Sequence, residues 1–211
     1  MQIINIKGTN NVYSSNVYLV HGEWKKMNDL STLIDVGSDS SIIDVINSMN
    51  MGVGKKKVDQ VVLTHNHSDH SSILPLIIKE YHPIVYAFSP FIEGATEVLK
   101  DGQTLVIGDQ YFEVIHTPGH SSDSVSLYNS SNKVLFVGDT SVIVRGLDSG
   151  VYEQDYINAI KRLAQKQVRA IYFGHGDPVF GNGQSLLVES LKNIRQSMRK
   201  EEQTFKQQEG G

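Results

Sequence analysis

Three histidines and an aspartate lie within six residues of one another in the segment THNHSDH, which begins at Thr64. The preceding residues VVL read as an apolar strand. If the chain stays extended, His65 and His67 point to one face, about 6.5 to 7 Å apart, and imidazoles at that spacing can bind one metal ion. Asp69 and His70 follow where the chain turns, and adjacent residues cannot share one extended face. We therefore expect them to present ligands to a second ion beside the first.

Three later segments share one pattern, in which an apolar strand leads through small or turn-forming residues to a single metal-binding side chain. They are HTPGHSSDS with His120, LFVGDTS with Asp139 and IYFGHGDP with His175. Strand ends of this kind deliver side chains into a common cleft. We expect these residues to complete the ligand set of two divalent ions. Imidazole and carboxylate ligands favour zinc, although the carboxylates also permit iron or manganese.

Three further residues are candidates to support the ligands from behind, because a ligating imidazole needs a partner on its other ring nitrogen. They are Asp35, His116 and Asp177. Asp35 and Asp177 are equally suited to plain turn roles, and His116 is better suited to capping its loop. Arg145 lies in the segment VIVRGLDSGVY at 142–152, the expected substrate-facing loop. Its guanidinium is placed to bind a substrate carboxylate or phosphate, or else is simply solvated.

The elements that must position these residues alternate between short apolar strands and amphipathic helices. Strands are predicted at 2–6, 16–20, 31–34, 60–63, 84–87, 104–107, 111–115, 125–128, 134–137 and 170–173. Helices are predicted at 41–49, 72–81, 153–165 and 184–198. Hairpins without strict alternation, and the lack of a glycine-rich phosphate loop, favour two stacked sheets covered by helices over a nucleotide-binding sheet.

Composition narrows the class of protein further. The 211 residues suit a single domain, expected at 1–200 and followed by a polar, frayed tail at 201–211. A net charge of −4 gives no electrostatic reason to expect nucleic acid as a partner. The absence of cysteine excludes disulfides and thiolate ligands. The opening MQIINIKGT reads as neither a signal peptide nor a membrane span, so we expect a cytoplasmic protein without a membrane partner. The oligomeric state stays open.

The motifs resemble those of the metallo-β-lactamase fold superfamily. THNHSDH is similar to its HxHxDH, TPGHSSDSVSLY to its TPGHTxGSxSLY, FVGDT to its GDT and YFGHGDP to its PGHG, all in the same order along the chain. SSNVYLV followed by LIDVG is similar to its usual opening. The resemblance implies an α+β fold, a four-layer αββα sandwich of two mixed β-sheets flanked by helices.

The resemblance also implies an assignment of ligands and an activity. One metal would be held by His65, His67 and His120, the other by Asp69, His70 and His175, with Asp139 bridging both. Hydroxide held between the ions would attack an ester, thioester, lactone or phosphoester bond of a small molecule. Asp69 and Asp139 would be the catalytic carboxylates, and Asp69 would also orient the hydroxide.

Departures from the patterns of individual branches leave two alternatives. The lack of cysteine argues against the cysteine-containing β-lactamase sites, and His67 stands where the flavodiiron branch has glutamate. Glyoxalase II shares the metal motifs, but Ser71 and Ser72 replace its usual glycines. One alternative to a binuclear hydrolase is a persulfide dioxygenase that uses one iron. The other is a noncatalytic metal-binding module.

Overall fold

The structure, a computed structural model, describes residues 1–23, 29–52, 54–145 and 152–209. Its first sheet has the strand order β1 (Gln2–Ile6), β2 (Val17–His21), β3 (Thr32–Ile34), β4 (Gln60–Val62), β5 (Ile84–Ala87) and β6 (Glu97–Val98). Its second sheet runs, also in sequence order, through β7 (Thr104–Ile107), β8 (Gln110–His116), β9 (Val125–Asn129), β10 (Val134–Phe136), β11 (Ala170–Tyr172) and β12 (Val179–Phe180). The helices are α1 (Ile42–Ser48), α2 (Ser68–Ser71), α3 (Leu74–Tyr81), α4 (Gln154–Ala164) and α5 (Gly183–Glu209).

Both sheets are mixed. In the first, β1, β2 and β3 pair antiparallel, whereas β3, β4, β5 and β6 pair parallel. In the second, β10 and β11 form the parallel pair and the other neighbours are antiparallel. Parallel neighbours need long connections, and the helices α1, α3 and α4 lie in these connections. Parallel strands end at the same edge of their sheet, which is where the candidate ligands begin.

Apolar side chains form three separate clusters, and strand alternation explains why. Successive residues of a strand point to opposite faces. In β4, Val61 packs in the cluster with α1 and α3, while Val62 packs in the cluster between the sheets. In β10, Leu135 faces the cluster with α4 and α5, while Phe136 faces the other sheet. Each sheet is thus apolar on both faces, and the predicted αββα sandwich is confirmed.

Three short elements were not predicted from the sequence. The strands β6 and β12 have two residues each, and α2 has four. Such pieces span only about one period of the hydrophobic pattern from which helices and strands are inferred, so no repeat is visible. Tertiary contacts define them: β6 pairs with β5, and β12 pairs with β11.

Helix α5 continues to Glu209, whereas the sequence predicts a helix at 184–198 and a frayed tail at 201–211. Glu, Gln and Lys are good helix formers, so a polar composition does not distinguish a solvated helix from a tail. The domain boundary at residue 200 stays a prediction. In the part of the chain that the structure describes, no helix combines the length and apolar character needed to cross a membrane.

Candidate metal centre

The first four candidate ligands lie where β4 leads into α2. His65 and His67 follow β4, and His67 keeps an extended backbone with φ −70° and ψ 147°. Asp69 and His70 lie in the four-residue helix α2. The sequence predicts a helix only from Ser72 onward. The structure adds the separate helix α2 before that position, so Asp69 and His70 lie on a helical turn instead of in a loop.

The second sheet contributes the other three candidate ligands. His120 lies between β8 and β9, Asp139 follows β10, and His175 follows β11. Because β10 and β11 are parallel, Asp139 and His175 leave the sheet at the same edge. Gly174 N donates a hydrogen bond to Gly138 O at 2.7 Å, which joins their two loops directly.

The seven side chains form two neighbouring groups. One candidate ligand atom from each member lies within 4.8 Å of the others in its group, which are His65, His67 and His120, and Asp69, His70, Asp139 and His175. In the first group, His120 Nε2 lies 2.9 Å from His67 Nδ1. Asp139 Oδ2 lies 3.5 Å from Nε2 of both His120 and His175, so this carboxylate stands between the groups. The structure therefore brings together all seven residues, and their role as ligands stays a prediction.

Three buried atoms at the centre lack a hydrogen-bond partner among the described residues. They are His65 Nε2, His70 Nε2 and Asp139 Oδ1. Buried polar atoms without a partner are costly and rare in native proteins. His70 Nε2 and Asp139 Oδ1 lie only 3.3 Å apart. Imidazole nitrogens and a carboxylate oxygen are ligands that divalent cations such as zinc accept, and cations held by the two groups would satisfy His65 Nε2 in the first and His70 Nε2 and Asp139 Oδ1 in the second.

Asp35 supports both groups from behind. Its Oδ2 lies 2.8 Å from His70 Nδ1 and accepts a hydrogen bond from the Thr64 hydroxyl at 2.8 Å, while its Oδ1 accepts one from Thr64 N. The Thr64 hydroxyl oxygen also lies 3.1 Å from His65 Nδ1. Because this hydroxyl donates its own hydrogen to Asp35, its oxygen can accept a hydrogen bond from the N–H at His65 Nδ1. His65 and His70 are thereby oriented with Nε2 toward the other candidate ligands.

The pKa values of the two buried histidines move in opposite directions. Burial, with the nearby charge of His70, lowers the pKa of His65 to about 4, so its lone pair is available at neutral pH. Burial also opposes protonation of His70, but the Asp35 and Asp139 carboxylates outweigh it and raise the pKa of His70 to about 10. Burial alone would raise the pKa of Asp139, yet its contacts with His70 hold that pKa below its ordinary value. Carboxylates that stabilise an imidazolium here also favour a metal cation.

The two other candidates for a supporting role do not contact the candidate ligands in the described part of the structure. His116 Nε2 lies 2.8 Å from Ser122 O, and the ring stacks on Phe88 with centroids 4.2 Å apart. It holds the loop that carries His120, the capping role that its position also suggested. Asp177 is exposed, and its carboxylate makes no hydrogen bond or ion pair with the described residues.

A cleft beside the centre offers room for a substrate. Two cavities of about 310 and 750 Å³ adjoin, because both are bordered by His120, Ser141 and Ile143. The smaller one also touches Asp139 and His175. The larger one has a charged and aromatic wall, formed by Arg145, Tyr152, Glu153 and Tyr156. The rest of the predicted substrate loop, 146–151, lies outside the described residues.

Sequence reasoning missed three residues that shape the centre. Thr64 orients two imidazoles, and Asn16 Nδ2 donates to two carbonyls of the loop around His175, at 3.0 and 2.8 Å. A Cβ at Gly174 would overlap the carboxylate of Asp139, so only glycine fits there. Thr64 and Asn16 resemble ordinary strand-end residues. Gly174 had a visible signal, since a glycine directly before a candidate ligand suggests close approach of another group.

The fold, the two groups of side chains and the order of the motifs together define a class of protein. The family model of the metallo-beta-lactamase superfamily matches residues 10–92 and 88–175, and the chain belongs to this superfamily, as predicted. A metallo-beta-lactamase family protein from Thermus thermophilus has a similar solved structure, with a TM-score of 0.66 and 17% sequence identity. The alignment covers 92% of this chain and 79% of that one.

Two curated relatives of the chain are named as a hydrolase and a thioesterase. A hydroxyacylglutathione hydrolase from Serratia proteamaculans is 31% identical over 137 residues, which are 63% of this chain and 51% of the relative. An atrochrysone carboxyl ACP thioesterase from Cryptosporiopsis sp. is 24% identical over 191 residues, which are 83% of this chain and 58% of the relative. The chain therefore spans only about half the length of these relatives.

Proposed function

We propose that this protein is a metal-dependent hydrolase that cleaves the thioester bond of a small acyl substrate. The observation that carries the proposal is the pair of side-chain groups. Three of their buried ligand atoms, His65 Nε2, His70 Nε2 and Asp139 Oδ1, have no hydrogen-bond partner among the described residues. A second group as complete as the first favours two ions over one. We infer zinc as the preferred metal, with iron or manganese as substitutes.

The chain's own residues have distinct parts in this proposal. His65, His67 and His120 would hold one cation, Asp69, His70 and His175 the other, and Asp139 would contact both. The chemistry that two such cations supply when bound is the activation of water at neutral pH and the polarisation of a carbonyl. Asp69 is partly exposed at the centre. Its carboxylate would accept a hydrogen bond from the attacking water and so orient that water. No serine or cysteine nucleophile is required.

The position of Arg145 suggests that the substrate carries an anionic group. Its side chain is exposed in the larger cavity, and no hydrogen bond or ion pair engages it among the described residues. A guanidinium in such a position binds a carboxylate or phosphate at the end of a substrate whose acyl carbon lies near Asp139. The preference for a thioester rests on the names of the relatives, one a hydroxyacylglutathione hydrolase and the other an ACP thioesterase. We further propose a cytoplasmic location.

The decisive experiment measures hydrolysis by protein loaded separately with zinc, manganese or iron. The substrates are S-acyl thioesters with and without a terminal carboxylate, beside lactones, β-lactams and phosphodiesters. We expect the highest kcat/KM on a thioester with zinc, and complete loss in His65→Ala and Asp139→Ala. Asp44→Ala is the matched control, since this exposed aspartate of α1 makes no hydrogen bond or ion pair with a candidate ligand in the described part of the structure, and it should retain full activity.

Two results would contradict the proposal in different ways. Oxygen consumption by protein containing a single iron, without thioester cleavage, would indicate the dioxygenase alternative. Asp69→Ala with wild-type hydrolysis of every substrate would indicate that the bound metal is not catalytic.

A further inference from the structure

Tyr13 combines high exposure with a fixed contact at the centre. Its side chain is 76% exposed, yet its ring stacks on that of His175, with centroids 5.2 Å apart and an interplanar angle of 17°. The Tyr13 ring therefore lies against a candidate metal ligand while most of its surface stays accessible. The sequence did not single out Tyr13.

Hydrogen bonds hold the chain at Tyr13 and at the two residues after it. Ser15 N donates a hydrogen bond to Asp69 O at 2.9 Å, and Ser38 Oγ donates one to Tyr13 O. Ser38 N also donates to Ser14 Oγ at 3.0 Å. The ring is therefore anchored by a backbone that is tied to the segment of a candidate ligand. Little conformational entropy would be lost when this side chain contacts a ligand.

The hydroxyl of Tyr13 lies 3.5 Å from His175 Nε2, the same nitrogen that approaches Asp69 Oδ2 to 2.9 Å. A nitrogen that ligates a cation has no lone pair left to accept a hydrogen bond. With His175 in that role, the hydroxyl retains a free proton at the edge of the centre. The hydroxyl is placed to donate this proton to an oxygen atom of a molecule bound at the centre.

We propose that Tyr13 is a substrate-contacting residue whose hydroxyl donates a hydrogen bond to the carbonyl oxygen of the acyl group. The proposal rests on the hydrolase function proposed above and adds a specificity, because it favours substrates with an exposed acyl oxygen. Only a hydrogen bond forms, and no proton is transferred.

The test compares Tyr13→Phe, which retains the ring on His175 and removes only the hydroxyl, with wild type. Tyr111→Phe is the matched control. Tyr111 is similarly exposed, at 72%, but it lies opposite Val106 of β7, at the end of β8 that is farther from His120. The probe is acetohydroxamate, a metal-binding anion with a carbonyl oxygen, titrated calorimetrically into zinc-loaded protein. The zinc content of each variant is measured first.

We expect Tyr13→Phe to bind acetohydroxamate about five- to tenfold more weakly at unchanged zinc content, the effect of one hydrogen bond. On a cleaved thioester, kcat/KM should fall by at least the same factor. Tyr111→Phe should match wild type in both measurements. Equal affinities of Tyr13→Phe and wild type would overturn the proposal, as would a loss of zinc from Tyr13→Phe, which would reveal a purely structural role.

Binding and hydrolysis separate the two proposals. If wild type binds acetohydroxamate but cleaves no acyl substrate, the proposed hydrolase function fails while the comparison of affinities still decides the role of Tyr13. If wild type hydrolyses thioesters and the two affinities are equal, only the Tyr13 proposal fails. Absence of acetohydroxamate binding by zinc-loaded wild type would reject both a reachable metal centre and the contact inferred for Tyr13.

Discussion

A single carboxylate, that of Asp35, orients two of the candidate ligands. It contacts His70 directly and His65 through the Thr64 hydroxyl. Asp35 is buried and has a positive φ of 57°, a conformation that Asp and Asn tolerate better than most residues. The position thus requires a short side chain with two acceptor oxygens and a left-handed backbone at the end of β3.

We expect Asp35→Asn to fold normally and to bind zinc about 10- to 100-fold more weakly, the usual effect of removing an outer partner of a metal ligand. Asparagine suits the left-handed backbone but replaces one acceptor oxygen with a donor group. A competition titration with a chromophoric chelator measures the affinity. Asp44→Asn makes the same chemical change on an exposed side chain of α1 and should leave the affinity unaltered. Equal affinities in all three proteins would contradict the orienting role of Asp35.

At the scale of elements, the short helix α2 turns the side chains of two adjacent candidate ligands in different directions. Successive residues in a helix point about 100° apart. His70 is therefore fully buried and meets Asp35, while Asp69 is partly exposed and reaches His175. A loop of the same length would not fix this difference in direction.

A second element-scale contact anchors the segment between β1 and β2, which carries Tyr13. Asp39, buried just before α1, accepts hydrogen bonds from the backbone and side-chain amides of Asn10, at 3.0 and 2.7 Å. It also accepts bonds from the backbone amide and hydroxyl of Ser41. Burial alone would raise the pKa of Asp39, but these donors outweigh it and hold the pKa below its ordinary value of 3.8.

We expect Asp39→Asn to lower the free energy of unfolding by about 1 to 2 kcal/mol at neutral pH, because hydrogen bonds to a charged acceptor are lost. The pKa of Asp39 is lower in the folded state than in the unfolded chain, so the stabilisation is complete above pH 3.8. It is lost as the pH falls through the pKa that Asp39 has in the folded state. The difference from wild type should therefore shrink in acid. Urea unfolding at neutral pH and below pH 3.8 measures it. A difference that stays constant with pH would argue against a charged Asp39.

At the scale of the whole molecule, the centre joins the two halves of the sandwich. Four candidate ligands follow β4 of the first sheet, and three lie in loops of the second. The hydrogen bond from Asn16 N to Gly174 O, at 2.6 Å, crosses between the same halves. A cation bound here would therefore connect both sheets, and it would bind the folded state far more tightly than the unfolded chain.

We expect removal of metal by a chelator to lower the Tm. At free zinc about a thousandfold above Kd, linkage predicts about 4 kcal/mol of added stability, or roughly 10 °C for a chain of this size. Thermal unfolding followed by circular dichroism over a range of free zinc measures the shift. His65→Ala should show a much smaller zinc-dependent shift, whatever its stability without metal. A wild-type Tm that does not respond to zinc would contradict a metal site between the sheets.

Much of the fold and part of the centre could be predicted because their signals are local. Alternation along β4 and β10 gives apolar residues on both faces of each sheet, and the spacing of His65 and His67 places both rings on one side of the chain. The motifs around His120, Asp139 and His175 were recognisable by resemblance. In contrast, Thr64 looks like an ordinary strand residue, and the start of α2 shows no hydrophobic period.

The sequence by itself determined the residue types, their order and the shared direction of His65 and His67, since these depend on backbone geometry over a few residues. Only the tertiary structure decided that Asp139 stands between the two groups, that Asp35 reaches His65 through Thr64, and that Tyr13 stacks on His175. Tyr13 and His175 are 162 residues apart in the chain. Contacts at such separations arise from the packing of two complete sheets, which no local pattern encodes.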